Sequence, residues 1–215
     1  NLDLMMGLDN RVVFDMQDVI EERCLLERAL LQDKREKNLY LLPVCKGVNF
    51  SGVHKEDFVR VMRVLQNQFD YLFIDTPAGV ESGFHYASIV AQRALIVTNL
   101  DVSALQDADR VIGLLLKEGI SHLELVLNKV SARAIEKGIC VRMEDAQKWL
   151  AIPLLGYIVE DNRVQSCNNR GLPLAIARDS QVYHCFDILA RRFLKEKAAL
   201  PKLSERRLFS KIFAS

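Results

Sequence analysis

Tyr71-Leu72-Phe73-Ile74-Asp75-Thr76-Pro77-Ala78-Gly79 places four largely apolar residues ahead of an acid, a proline and a glycine. An uninterrupted run of this kind reads as a central parallel strand buried on both faces, ending in a loop at the Pro and Gly. Asp75 then stands at the carboxyl end of a strand, where open α/β sheets bind their ligands, and can hold a metal or the water around it. The alternative is a polar residue that only terminates the strand. Pro77 fixes one backbone angle and Gly79 admits positive φ, so the loop can swing while Asp75 stays anchored. Such a loop is able to report whether a phosphate is present.

On either side, apolar runs alternate with amphipathic stretches. Residues 39–43, 94–98, 123–128 and 154–158 are short, apolar and bounded by polar or turn residues, and are predicted to be strands beside 71–75. Residues 15–31, 55–69, 104–117, 143–150 and 182–197 carry helical spacing, with Val19, Ile20, Leu26, Ala29 and Leu30 forming much of one apolar side of the first. Strand–helix alternation with connections this long implies right-handed crossovers, hence an α/β fold with a mostly parallel, doubly wound sheet and helices on both faces. Pro201 marks the end of the compact body, giving a domain over 1–200 and a short tail over 201–215.

Composition bounds the function. Half of the 215 residues are hydrophobic and the formal net charge is +1, values of an ordinary globular core. That charge conceals a basic terminus, for eight Lys and Arg stand against two Glu from Arg191 onward. The tail thus suits an anionic partner, whereas the body does not offer the broad basic surface that nucleic acid needs. Five scattered cysteines without a C-x-x-C pair argue against a disulfide framework or zinc site and for a reducing, cytoplasmic setting. No apolar stretch approaches bilayer-spanning length.

Three further stretches carry candidate chemistry. In Asp101-Val102-Ser103, either Asp101 or Ser103 caps the following helix, while Asp107 and Asp109 form an acidic face suited to a partner. Asn128 ends an apolar run and can present donor and acceptor to a purine base, and Val159-Glu160-Asp161 ends another run in a loop able to close on the same base. In the tail, Leu208, Phe209, Ile212 and Phe213 share one side of a helical projection, with Arg206, Arg207, Ser210 and Lys211 on the other. That is the pattern of a helix lying in a membrane interface, and its place after Pro201 and dense positive charge favour this over the alternative of a terminal helix packed on the domain. The four histidines show no ligand spacing and read as structural or surface residues.

A nucleotide hydrolase of this architecture needs a phosphate cradle, G-x-x-x-x-G-K-[ST]. None of the ten glycines here is followed by Lys. The residues therefore supply the base-binding and metal-side parts of a nucleotide site without its phosphate grip.

Taken together, the stretches resemble the MinD/ParA group of deviant P-loop ATPases, in its membrane-associated branch that helps place the bacterial division septum. The resemblance spans essentially the whole chain. It rests on Asn1-Leu2-Asp3-Leu4-Met5-Met6-Gly7, on Arg11-Val12-Val13-Phe14-Asp15, on Asp33-Lys34-Arg35 with Asn38-Leu39-Tyr40-Leu41-Leu42-Pro43, and on Asp75-Thr76-Pro77-Ala78-Gly79-Val80-Glu81. Thr98-Asn99, Val102-Ser103, Asp107-Ala108-Asp109-Arg110 and the tail complete it.

The resemblance implies magnesium-assisted attack of water on the γ-phosphate of ATP. Asp75 would hold Mg2+ through water, and Asn1 would lie near the γ-phosphate. Pro77, Asn128, Val159 and Asp161 would belong to the nucleotide site. Asp101, Ser103 and Asp107 would face MinC-like and MinE-like partners. An ATP-bound homodimer would present two tails, through Arg206, Arg207, Leu208, Phe209, Lys211, Ile212 and Phe213, to the inner face of the cell membrane. Where the group has Pro-Glu-Asp beside adenine, this chain has Val159-Glu160-Asp161. The group's phosphate loop would precede Asn1, so the chain reads as truncated by about one βα unit. Such a fragment is expected to expose the middle of its sheet, to be poorly stable and not to turn over ATP alone. A flagellar-number regulator of the same fold and a non-catalytic membrane-bound adaptor are the competing readings.

Overall fold

The computed structural model describes residues 2–44, 54–76, 82–201 and 203. Its backbone divides into two compact units, one comprising Asn1–Ala94, Gly113–His122 and Asn162–Ala177, the other Leu95–Ile112, Leu123–Asp161 and Arg178–Ser215.

The first unit opens with α1 (Leu2–Met6) and a 3-10 turn at Asp9–Arg11. Then come α2 (Met16–Ile20), α3 (Leu26–Ala29), and an antiparallel pair of two-residue strands, β1 (Leu31–Gln32) and β2 (Tyr40–Leu41). The helix expected over 15–31 is therefore split. Asp15 and Asp18 exchange side-chain and backbone hydrogen bonds in a capping box that starts α2. Glu22 then takes a left-handed φ of 60°, which a continuing helix does not permit. The apolar side survives the break. Met16 and Ile20, with Val19, Leu26 and Leu30 partly covered, pack against Phe58, Val61, Met62 and Leu65 of α4 (Lys55–Gln68). Tyr86 of α5 (Ser82–Val90) joins that core edge-on to Phe58. Glu118 accepts the Ser88 hydroxyl and lies 3.0 Å from Nδ1 of His85, which ties α5 to its neighbour.

The expectation of a buried strand over Tyr71–Asp75 is not met. Residues 71–76 carry no regular secondary structure, and Tyr71 and Phe73 are 57% and 71% exposed. A strand buried on both faces needs cover on both. Here only Leu72 reaches the core, and the alternate side chains face solvent. The run at 39–43 is likewise reduced to β2, paired with β1 in antiparallel rather than parallel fashion.

The second unit holds the sheet. Strands β3 (Ala94–Thr98), β4 (Leu123–Val130) and β5 (Leu154–Val159) lie in the order β3-β4-β5, with β4 and β5 parallel. All three fall where the apolar runs predict them. Leu125 and Leu127 are fully covered, as a central strand requires. Helices α7 (Ala132–Glu136), α8 (Met143–Leu150) and α10 (Gln181–Phe193) belong to this unit together with the first turns of α6 (Val102–Lys117), whereas α9 (Arg163–Asn168) and a 3-10 turn at Leu174–Ile176 belong to the first. α10 packs along β5. Gly156 permits this, since a Cβ there would meet Leu189 at 3.1 Å. The result is a parallel α/β sheet flanked by helices.

Candidate functional site

Ligands of a parallel sheet gather at the carboxyl ends of its strands. At that edge of the second unit, β4 bulges. Leu127 pairs with Tyr157 and Val130 with Val159, so β4 carries one residue more than β5 across the same span. Lys129 takes a φ of 53° to accommodate it, and the Asn128 side-chain oxygen accepts the Lys129 amide at 3.0 Å. The ladder resumes with the Glu160 amide donating to the Val130 carbonyl at 3.0 Å. Asn128 is thereby fixed beside the Val159–Asp161 loop. The end of β4 that carries Asn128 and the Val159–Asp161 loop after β5 thus lie at the same edge of adjacent strands.

The start of α6 is built by capping. Asp101 accepts the Ala104 amide at 2.9 Å and the Ser103 hydroxyl at 2.7 Å, and these bonds hold its carboxyl below the usual range. Thr98, buried at the end of β3, donates to the Ala104 carbonyl at 3.0 Å and fixes the approach of the strand. Asp101 and Ser103 are thus occupied with each other. Asp107 and Asp109 stay exposed on the next turn, with Asp107 only 3.6 Å from Arg110.

Asp75 belongs to the first unit, where it is exposed and outside any strand. Asn1, Pro77 and the tail residues Arg206, Arg207, Leu208, Phe209, Lys211, Ile212 and Phe213 lie outside the described residues.

Two arrangements had no signal in periodicity. A cleft of about 340 Å³ opens between β5, at Tyr157 and Val159, and α10, at Gln181, Cys185 and Ile188, with Pro201 at one end. Burial pushes the Cys185 thiol up. In the first unit, Asp33 and Arg35 form a salt bridge of 2.9 Å, and Arg35 reaches on to the Gly171 carbonyl at 2.9 Å and the Met6 carbonyl at 3.1 Å. The motif Asp33-Lys34-Arg35 was visible in the sequence, but its long-range carbonyl partners were not.

No family profile matches the chain. The septum site-determining protein MinD of Helicobacter pylori is 36% identical over 216 residues, covering 97% of this chain and 80% of that protein. Among solved structures, the MinC:MinD cell division complex of Aquifex aeolicus is similar with a TM-score of 0.87 at 34% identity, over 94% of this chain and 81% of that one. The septum site-determining MinD of Pyrococcus horikoshii, complexed with Mg-ADP, is similar with a TM-score of 0.75 at 27% identity, over 90% of this chain and 78% of that one. Across its MinD relatives the chain spans 62% to 80% of their length. With its sheet, its order of motifs and its extent of identity, the chain belongs to the MinD family of septum site-determining cell-division proteins.

Proposed function

We propose that the protein is an ATP-driven spatial regulator of division that cycles on and off the inner face of the cell membrane. The observation that carries the reading is that the β4 bulge holding Asn128 and the Val159–Asp161 loop stand at the same edge of the paired strands β4 and β5. The Asn128 amide offers hydrogen bonds to a base edge, and the Val159–Glu160 backbone offers a flat apolar and polar border. That donor set fits an adenine. Asp75, an exposed carboxylate in the acid-Thr-Pro-Ala-Gly motif, fits Mg2+ held through its water shell. When bound, ATP supplies a γ-phosphoryl group open to attack by water.

The chain's own residues then divide the work. By the resemblance, Asn128 and Val159–Asp161 would orient the base, Asp75 would hold the metal through water, and Asn1 would lie near the attacking water. Nucleotide-dependent dimerisation brings two basic, aromatic tails to an anionic surface, where each basic residue contributes about 1 kcal/mol. Two weak anchors on one particle bind far more tightly than one. A MinD solved in complex with MinC supports a MinC-like partner; Asp101, Ser103 and Asp107 are the face proposed for it and for a MinE-like activator. The septum-determining relatives favour this role over a flagellar-number regulator.

Co-sedimentation of the protein as encoded with anionic liposomes, in ATP or ADP, tests the reading. Wild type should pellet with ATP alone, Phe209→Glu should remain soluble in both, and Asn128→Ala should need about tenfold more ATP. Equal pelleting in ATP and ADP would sink it in favour of a passive membrane adaptor.

A further inference from the structure

Lys129 lies inside β4 and yet takes a left-handed φ of 53°, a conformation that a lysine in a strand does not adopt without cost. Its neighbours explain why. Leu127 is fully covered and Val130 is 2% exposed, and they pair with Tyr157 and Val159 of β5. β4 therefore takes three steps where β5 takes two, and the buried side chains on either side keep the extra residue from sliding away. The excess falls between them, on half-buried Asn128 and exposed Lys129.

This turn of the main chain has a specific product. It brings the Lys129 amide to the Asn128 side-chain oxygen, 3.0 Å away. With that oxygen held by the main chain, the end of the side chain left for a ligand is Nδ2, a donor. The next residue closes the device. The Val130 carbonyl takes the Glu160 amide at 3.0 Å, which ties the bulge to the Val159–Asp161 loop. A strained residue at the ligand-bearing end of a strand is held there by its surroundings, and such residues gather at binding sites.

We infer that Lys129 is a positioning residue for the nucleotide base: its left-handed main chain turns Asn128 so that the amide donor faces a ring-nitrogen acceptor of the purine. The inference rests on the proposed role of Asn128, and it concerns the Lys129 backbone and not its ammonium. A residue that accepts left-handed φ serves at this position. A β-branched one, barred from that region, does not.

Titration calorimetry with MgADP on the protein as encoded, beside a thermal melt, tests the inference. Lys129→Val should weaken MgADP binding about tenfold. Lys129→Gly, which keeps the backbone and drops the ammonium, should restore affinity to within about twofold of wild type and melt no lower. In an Asn128→Ala background, itself about tenfold weaker, Lys129→Val should cost nothing more, because the group it misplaces is gone. Asn128→Asp covers the case in which Lys129→Val does not fold. It still accepts the Lys129 amide but offers no donor, so it should melt near wild type and bind as weakly as Asn128→Ala. Wild-type affinity in Lys129→Val, an equal loss in Lys129→Gly, or losses that multiply in the double variant overturns the inference. So does wild-type affinity in Asn128→Asp beside a weak Asn128→Ala. Wild-type affinity in Asn128→Ala instead overturns the base site on which the inference stands.

Discussion

The guanidinium of Arg192, near the end of α10, donates to the carbonyl of Leu154 at 3.0 Å, where β5 begins. The same group reaches the Leu155 carbonyl at 2.5 Å and the Ala198 carbonyl at 3.0 Å. The segment after α10 is thereby fastened along the outer strand, and Tyr157 adds a hydrogen bond from its hydroxyl to the Pro201 carbonyl. Truncating Arg192 strands partly buried carbonyls. Arg192→Ala should lower unfolding free energy by about 3 kcal/mol, with Arg192→Lys recovering less than half. Urea unfolding at constant m-value measures both, and a change in Arg192→Ala below about 0.5 kcal/mol would show the contacts to be incidental.

Two glycines with the same backbone hand should respond differently to alanine. Gly171 has a φ of 64° and backbone atoms of Gly7 within 2.8 Å of the new Cβ, whereas Gly119 has a φ of 87° and open space. Gly119→Ala carries only left-handed strain, about 1 kcal/mol. Gly171→Ala adds a clash against main chain that cannot swing aside, for a total of about 3 kcal/mol. Equal melting temperatures for the two variants would contradict the close approach.

How far the sequence carries can be seen at particular residues. Strands β3 to β5 and helix α8 fall where periodicity puts them, because apolar runs that are paired in a sheet and covered by helices obey their own pattern. Capping by Asp101 and the neighbourhood of Asn128 and Val159 were also legible, since each depends on residues near a strand end. Tyr71–Asp75 failed as a strand because its pattern states what the segment can bury and not whether cover exists. The break at Glu22 came from a single left-handed residue, for which Glu gives no warning. Arg35 was unreadable as a clamp because its carbonyl partners are main-chain atoms remote in sequence.

Asp33 makes stability depend on acid. It is 5% exposed, and its bond to the Arg35 side chain holds its carboxyl down at about 2, against an ordinary 3.8. A depressed carboxylate contributes stability that is complete above the unfolded value and is lost as pH falls through the folded one. The contribution is about 2 kcal/mol at neutral pH and should fade between about pH 4 and pH 2. Asp33→Asn should therefore be less stable than wild type at pH 7 and converge with it near pH 2. Denaturant titrations across that range check it, and a gap independent of pH would assign the loss to packing instead.

The acidic face of α6 separates fold from recognition. Asp101 is committed to the Ala104 amide and Ser103 hydroxyl, so Asp101→Ala removes a cap and should lower the melting temperature. Any loss of partner binding in that variant mixes two effects. Asp107 is exposed and pairs with Arg110 at 3.6 Å, a surface pair worth well under about 1 kcal/mol. Asp107→Lys should leave the melting temperature within about a degree of wild type and still weaken a MinC-like partner tenfold or more, because the charge at the contact is inverted. Measured by titration calorimetry beside a thermal melt, an Asp107→Lys protein that binds the partner normally would move the docking face off α6. One that binds poorly and melts normally would fix it there, independently of the cap at Asp101.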